Sequence, residues 1–242
     1  MARLLYLDAS ARPGRAGTHE HGSLTRRLTH HFISRWRAAR PEDQVIYRDL
    51  GETPPDPVSG EWIHAAFTSE ERREEWMNEV LTESDRLVDE LVSADILVLG
   101  VPMYNFNVPS AFKAWIDNIV RVGRTFDFDP SNTQEHYIPL MTGRRAIVLS
   151  SRGGVGFEPG GELAHMNHLE PSIRTALGFI GITELHQVAI EGQEIGGEVL
   201  ATSIREAENK IDRLVEGLLA QQPEVLHSEK ADDSRLMATE GA

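Results

Sequence analysis

The chain has 242 residues, 40% of them hydrophobic, with four Trp and no Cys, enough to build one sizeable core without crosslinks, in one domain or two. The lack of Cys excludes disulfides, thiolate metal sites, iron–sulfur clusters and a cysteine nucleophile, so redox chemistry would require a bound cofactor. With 24 basic against 38 acidic residues the formal charge is −14, which argues against nucleic acid or an anionic membrane surface as partner and in favour of small molecules.

From the N-terminus, Met1-Ala2-Arg3 leads straight into Leu4-Leu5-Tyr6-Leu7, a strand-length run without the features of a signal peptide. The longest apolar runs, such as Ile96 to Val101, fall far short of the roughly 20 residues that span a bilayer. A soluble, cytoplasmic protein is expected. Strand-length runs rich in β-branched residues occur at Arg3–Asp8, Gln44–Asp49, Asp95–Val101, Arg145–Ser151 and Glu184–Glu191. Between them lie helical periods. Leu24, Leu28, Phe32 and Trp36 recur every fourth residue, and a second series begins at Glu70 with Met77, Val80, Leu81, Leu87, Val88, Leu91 and Val92. Further helices are expected over Phe112–Val120, Ile173–Ile180 and Ile204–Leu218. Five βα repeats with continuously apolar strands predict a doubly wound α/β domain with a five-stranded parallel sheet, strand order 2-1-3-4-5. It would occupy residues 1–222, closed by Pro223, leaving an acidic tail at 223–242 that carries no periodicity and is expected to be disordered. Two long connections, Gly51–Thr68 and Arg124–Gly143, are expected to be functional or irregular loops.

In an open parallel sheet ligands bind beyond the carboxyl ends of the strands. After the first strand come Ser10 and then Ser23, Leu24 and Thr25 opening a helix, a phosphate cradle of hydroxyls and free N–H groups; Ser23 alone also reads as an ordinary N-cap. After the third strand comes Pro102-Met103-Tyr104-Asn105-Phe106-Asn107-Val108-Pro109. Its aromatics can flank a planar ring and Asn105 can bond the ring's polar edge, although a hydrophobic staple with a turn explains Tyr104 and Phe106 as well. After the fourth strand come Ser151, Arg152, Gly153 and Gly154, where glycines let backbone N–H groups approach a ligand. All three segments surround the expected switch point. No G-x-G-x-x-G follows a strand and no P-loop motif is present, so FMN fits better than a dinucleotide or a triphosphate. At least one of Phe126 and Phe128 is expected to cover the substrate side of the ring, with ordinary packing under a long loop as the alternative. The histidines near residues 19–31 lack carboxylate support, and no metal is expected.

These same residues carry a family resemblance. Pro-Met-Tyr-Asn-Phe-Asn at 102–107, Ser-Arg-Gly-Gly at 151–154, Thr142-Gly143 and Leu-Gly-Phe-Ile-Gly-Ile at 177–182 resemble the FMN-dependent NADH azoreductases, among the flavodoxin-like NAD(P)H quinone reductases. The resemblance covers roughly residues 1–220. It implies a flavodoxin-like fold, a homodimer, and FMN held by Ser10, Ser23 to Thr25, Met103 to Phe106 and Ser151 to Gly154. It also implies NADH as donor and a quinone or azo compound as acceptor, reduced by two electrons in ping-pong order. The chain departs from the family pattern in a longer 11–22 loop containing His19-Glu20-His21 and in an extended 124–143 loop. A flavodoxin-like electron carrier, or an FMN-binding regulatory protein without direct NADH turnover, is the alternative from another class.

Overall fold

A computed structural model describes residues 1–132 and 136–221; the expected tail at 223–242 lies outside the described residues. The strands β1 (Arg3–Asp8), β2 (Gln44–Asp49), β3 (Ile96–Pro102), β6 (Arg145–Ser151) and β7 (Glu184–Ile190) form one parallel sheet in the order β2-β1-β3-β6-β7. The remaining two strands, β4 (Phe126–Phe128) and β5 (Tyr137–Pro139), pair with each other as a separate antiparallel hairpin.

β3 is buried along its whole length, and its alternation explains the layers. Leu97, Leu99 and Val101 point to one side, against Leu87, Leu91, Phe112, Trp115, Ile173 and Leu177. These come from α3 (Glu75–Ser93), α4 (Ser110–Ile119) and α5 (Leu169–Phe179). Ile96 and Val98 point to the other, against Leu28, Phe32, Trp36, Ile211 and Val215 of α1 (Leu24–Ala39) and α6 (Gly197–Gln221). A sheet apolar on both faces needs helices on both, and each of these helices turns one apolar stripe inward.

Three local features differ from the sequence-based expectation. The Gly51–Thr68 connection contains the helix α2 (Gly60–Ala66), started by Ser59 accepting from Trp62 N–H. The period from Glu70 is broken: a single 3₁₀ turn at Glu70–Arg72 precedes α3. The Arg124–Gly143 connection folds as the β4–β5 hairpin. Its strands have three residues each, too short for an alternation signal.

Candidate functional site at the carboxyl edge of the sheet

The end of β1 is held between its neighbours, Ala9 N–H donating to Gly100 O at 2.8 Å and Leu50 N–H to Asp8 O at 2.8 Å. Ser10 then leaves the sheet, its Oγ accepting from Arg12 N–H at 3.2 Å. Arg26, on the first turn of α1, fastens this segment: Nη2 donates to Ser10 O at 2.9 Å and Nε to Arg12 O at 3.0 Å. The same guanidinium pairs with Asp49, Nη2 donating to Oδ1 at 2.7 Å. Burial alone would depress the Asp8 charge and does raise its pKa; at Asp49 burial also pushes upward, but the bonds from Arg26 outweigh it and lower the value.

The longer loop does not disturb the helix start. Residues 14–23 form an excursion closed at its neck by Ser23 N–H to Gly14 O and Ala16 N–H to Ser23 O, both 3.0 Å. Ser23 is thereby returned to the sheet edge, where its Oγ accepts from Arg26 N–H at 3.2 Å and lies 2.9 Å from Thr25 Oγ1. Ser23 is an N-cap and faces the cleft at the sheet edge at once. Among the described residues, the Leu24 and Thr25 N–H groups have no acceptor, as expected for the first turn of a helix.

The second segment is a tight turn in which Tyr104 N–H donates to Asn107 O at 2.9 Å and Asn107 N–H to Tyr104 O at 3.1 Å. Asn105 (φ +46°) and Phe106 (φ +69°) both sit in the left-handed region, the pattern of a type I′ turn. For Phe this conformation is strained, and such strain clusters at ligand sites. Its effect is to keep both rings outward: Tyr104 is 37% and Phe106 43% exposed. Tyr104 Oη accepts from Ala11 N–H at 3.2 Å, tying this turn to the first loop.

The third segment is positioned by charge. Arg152 is 2% exposed, and its guanidinium reaches Glu170 at 2.5 Å, Glu191 at 2.8 Å and Glu158 at 3.3 Å. Burial alone would lower its pKa, but the carboxylates, Glu170 foremost, raise it. Glu191 in turn accepts from the Gly156 and Phe157 N–H groups at 2.8 and 2.9 Å. The segment after β7 zips onto the glycines: Gly192 N–H donates to Gly154 O at 2.8 Å, Gln193 N–H to Arg152 O at 3.1 Å and Glu194 N–H to Gly153 O at 2.9 Å. A Cβ at Gly153 would lie 2.7 Å from Glu194 Cδ, so only glycine fits there with Glu194 in this place. The Gly153 and Gly154 N–H groups have no acceptor among the described residues.

Together these segments enclose a cleft of about 120 Å³. Ser10, Ser23, Leu24, Met103, Tyr104, Ser151 and Gly153 line it. Thr25, Asn105, Phe106 and Gly154 adjoin these residues in the chain, whereas the Arg152 side chain turns away into its carboxylates. Four lining residues were missed: Arg12, Pro102, Gln193 and Glu194. The last two follow β7, a strand end that the sequence also marks with Gly192 and Gly196.

Phe126 and Phe128 are not brought to this cleft. α4 begins beside the Tyr104 turn and runs ten residues away from it, about 15 Å of helix. Phe126 lies past its far end, 8% exposed, with ring centroids 4.9 Å from Phe179 and 6.1 Å from Tyr137. Met141 N–H, just beyond the hairpin, bonds Ile180 O ahead of β7, which sets this cluster level with the amino ends of the strands. The expectation that at least one of these rings covers the substrate side of the ligand is therefore not met by their placement within one chain: Phe126 is packed and Phe128 exposed, and loop length alone carries no information on which end of the sheet they occupy. A larger hollow of about 740 Å³, between Asp56–Trp62, α3 and α4, contains none of the three segments. Among the described residues no cluster of His, Asp or Glu could hold a metal ion, and no helix is long and apolar enough to cross a membrane.

The size and donors of the cleft fit FMN in part-by-part fashion. Its volume is below that of sites which swallow a whole ligand but suffices for a phosphate and part of a ribityl chain, beside hydroxyls and free helix N–H groups. A ring would lie on the rim, between the outward aromatics and the unpaired glycine N–H groups.

Comparison with known proteins gives a consistent picture. A family model described by its flavodoxin-like fold matches residues 2–215. A Pseudomonas aeruginosa relative named FMN-dependent NAD(P)H:quinone oxidoreductase 1 is 47% identical over 212 residues, 87% of this chain and 97% of the relative. A Colwellia psychrerythraea relative named FMN-dependent NADH:quinone oxidoreductase 2 is 39% identical over 219 residues, 90% of this chain and 100% of the relative. The solved azoreductase from Bacillus anthracis shares the fold, with a TM-score of 0.74 over 88% of this chain and 100% of that one, at 24% identity.

Proposed function

Because the chain belongs to the family with the flavodoxin-like fold, matched over residues 2–215, we propose that it is an FMN-dependent NADH:acceptor oxidoreductase that reduces quinones and azo compounds, with residues 1–222 as its FMN-binding domain. The observation that carries this reading is the meeting of the three strand-end segments around one cleft. The relatives named as FMN-dependent quinone oxidoreductases support it along nearly their whole length.

When bound, FMN supplies two-electron transfer between a nicotinamide and an electron acceptor. Ser10, Ser23 and the free Leu24 and Thr25 N–H groups would hold its phosphate, with Arg12 adding positive charge from the cleft wall. Met103, Tyr104 and Phe106 would support the ring, and Asn105 would supply an amide to bond it. The Gly153 and Gly154 N–H groups would favour negative charge at that edge without any proton moving. The Gly192 and Glu194 N–H groups fasten the Gly154 and Gly153 carbonyls, and the buried Arg152 carboxylate cluster fastens Gly156 and Phe157 beyond them, so little reorganisation would accompany the chemistry. Donor and then acceptor would enter through the same open rim of the cleft, which is a ping-pong order. Homodimerisation belongs to the same reading, and the exposed Phe128, Tyr137, Ile138 and Leu140 of the hairpin form an apolar surface suited to it.

The test is the absorbance spectrum of FMN-reconstituted protein, treated anaerobically with one equivalent of NADH and then a quinone. Bleaching of the flavin band and its return with quinone are expected. Bound flavin that NADH leaves unbleached would identify an electron carrier instead, and failure to bind flavin would refute the site.

A further inference from the structure

The excursion at 14–23 builds a second hollow. Gly14 (φ +63°) and Gly17 (φ +91°) turn it back onto α1, and the Thr18 and His19 N–H groups both donate to Arg15 O, at 3.2 and 3.0 Å. A Cβ built at Gly17 would lie in ordinary contact with the Arg27 guanidinium, 3.4 Å from Nη1, so the excursion reaches the tip of that side chain. Between the excursion, α1 and α6 lies a hollow of about 390 Å³ faced by Arg15, Thr18, Arg27, His30, Ser34 and Glu208. It is separated from the FMN cleft only by the neck, since Ser23 lines one and Arg15 and Ala16 line the other.

Its charge is the reverse of the chain's. Glu208 is its one acidic lining residue and is already paired with Arg27, Oε1 lying 2.7 Å from Nε. His31, at the edge, is bonded to Asp212 at 2.8 Å, an oxygen also held by Arg35 at 3.0 Å. Among the described residues Arg15 has no ion-pair partner. His30 is kept below its ordinary pKa by partial burial and by the surrounding Arg15, His31 and Arg37, so near neutral pH its ring can donate a hydrogen bond without adding charge. One unpaired guanidinium and one half-neutralised guanidinium thus converge with the free Nε2 side of the His30 ring, whose Nδ1 lies 3.4 Å from Ser34 Oγ, while Thr18 Oγ1 donates to Arg15 O at 3.1 Å, in a protein of net charge −14. Planar guanidinium forks beside a neutral ring donor are the chemistry that recognises phosphate oxygens.

We propose that this hollow binds a phosphomonoester dianion, with Arg15 and Arg27 as its charged ligands and His30 as a further donor. The same chemistry has two sources: the 2′-phosphate of an NADPH donor, or free phosphate. The volume exceeds what one phosphate needs and reaches the lower range of small-molecule sites, which favours the nucleotide. That choice rests on the proposed use of a nicotinamide donor, while the phosphate site does not.

Calorimetric titration of FMN-loaded, oxidised protein with NADP⁺, NAD⁺ and inorganic phosphate tests it, in the native chain and in Arg15→Ala and Arg27→Ala. NADP⁺ is expected to bind at least about tenfold tighter than NAD⁺, with the ratio falling to near one in both variants while FMN stays bound, as loss of a charge-assisted bond requires. Inorganic phosphate binding as tightly as NADP⁺, and lost in both variants, would support the site with free phosphate as its ligand. Absence of binding by both NADP⁺ and phosphate, equal affinity in native and variant chains, or binding that expels FMN would overturn it. Bleaching of the flavin by NADH in the native chain reads the proposed enzyme activity separately.

Discussion

Replacing Arg152 with Met removes the one cation of a buried cluster while nearly keeping its volume. Glu170, 5% exposed, is then left with Ser150 Oγ at 2.9 Å as its partner, whereas Glu191 and Glu158 are more exposed and can turn to water. Breaking a buried pair from one side costs about 3–5 kcal/mol, chiefly the desolvation of the stranded charge. For a domain of this size that corresponds to roughly 6–20 °C in melting temperature. The cluster also holds the Gly156 and Phe157 N–H groups through Glu191, so FMN affinity is expected to fall along with stability. Urea unfolding with unchanged m-value and flavin-fluorescence titration measure the two. The double replacement Arg152→Met with Glu170→Leu removes the stranded charge and should recover about half or more of the stability. FMN affinity should remain weak, because Glu191 still lacks its anchor. Native stability in Arg152→Met, or a double variant no better than the single, would refute the stranded-charge account, and unchanged FMN affinity would show that the cluster does not hold the segment at Gly156 and Phe157 for the flavin.

Gly100→Ala would put a methyl group 2.5 Å from Asp8 Oδ1 and 2.7 Å from Thr29 Cγ2, an overpacking cost of about 1–3 kcal/mol in thermal unfolding. Phe106→Gly relieves a left-handed residue worth about 1 kcal/mol, so stability should not fall while FMN affinity does; a drop in stability with FMN binding intact would reverse the assignment. Phe126→Ala should cost about 3 kcal/mol of stability, seen as a lower urea midpoint, because its ring is packed on Phe179 and Tyr137. The pKa of Asp49 is depressed by its bonds from Arg26 against the opposing effect of burial. Its contribution to stability is therefore complete above the ordinary carboxylate value and is lost as pH falls through the lower folded value. Asp49→Asn should flatten the acid limb of stability below about pH 4, and an unchanged limb would show that Arg26 does not hold it.

The fold was legible because its signals are local. Continuous apolar runs such as Ile96–Val101 can only be buried on both sides, and helices such as Leu24–Ala39 announce themselves by spacing and by the Ser23 cap. The same holds for the site segments at Ser10, Tyr104 and Gly153, which follow strands directly and so inherit their position from the sheet. What the sequence could not determine depends on contacts between residues far apart in the chain. That Arg152 points into Glu170 and Glu191 rather than at a ligand is decided by α5 and β7 packing beside β6. Phe126 sits past the end of α4 that is remote from the cleft in its own chain because of the length and direction of that helix. Arg12, Gln193 and Glu194 join the cleft only through the hydrogen bonds that fasten Arg12 to Arg26 and residues 192–194 to 152–154. A side chain's type and its place along a strand or helix are written in the order of residues. Its direction and its partners follow from the packing of distant elements, because that packing decides which charges must be paired and which surfaces remain open.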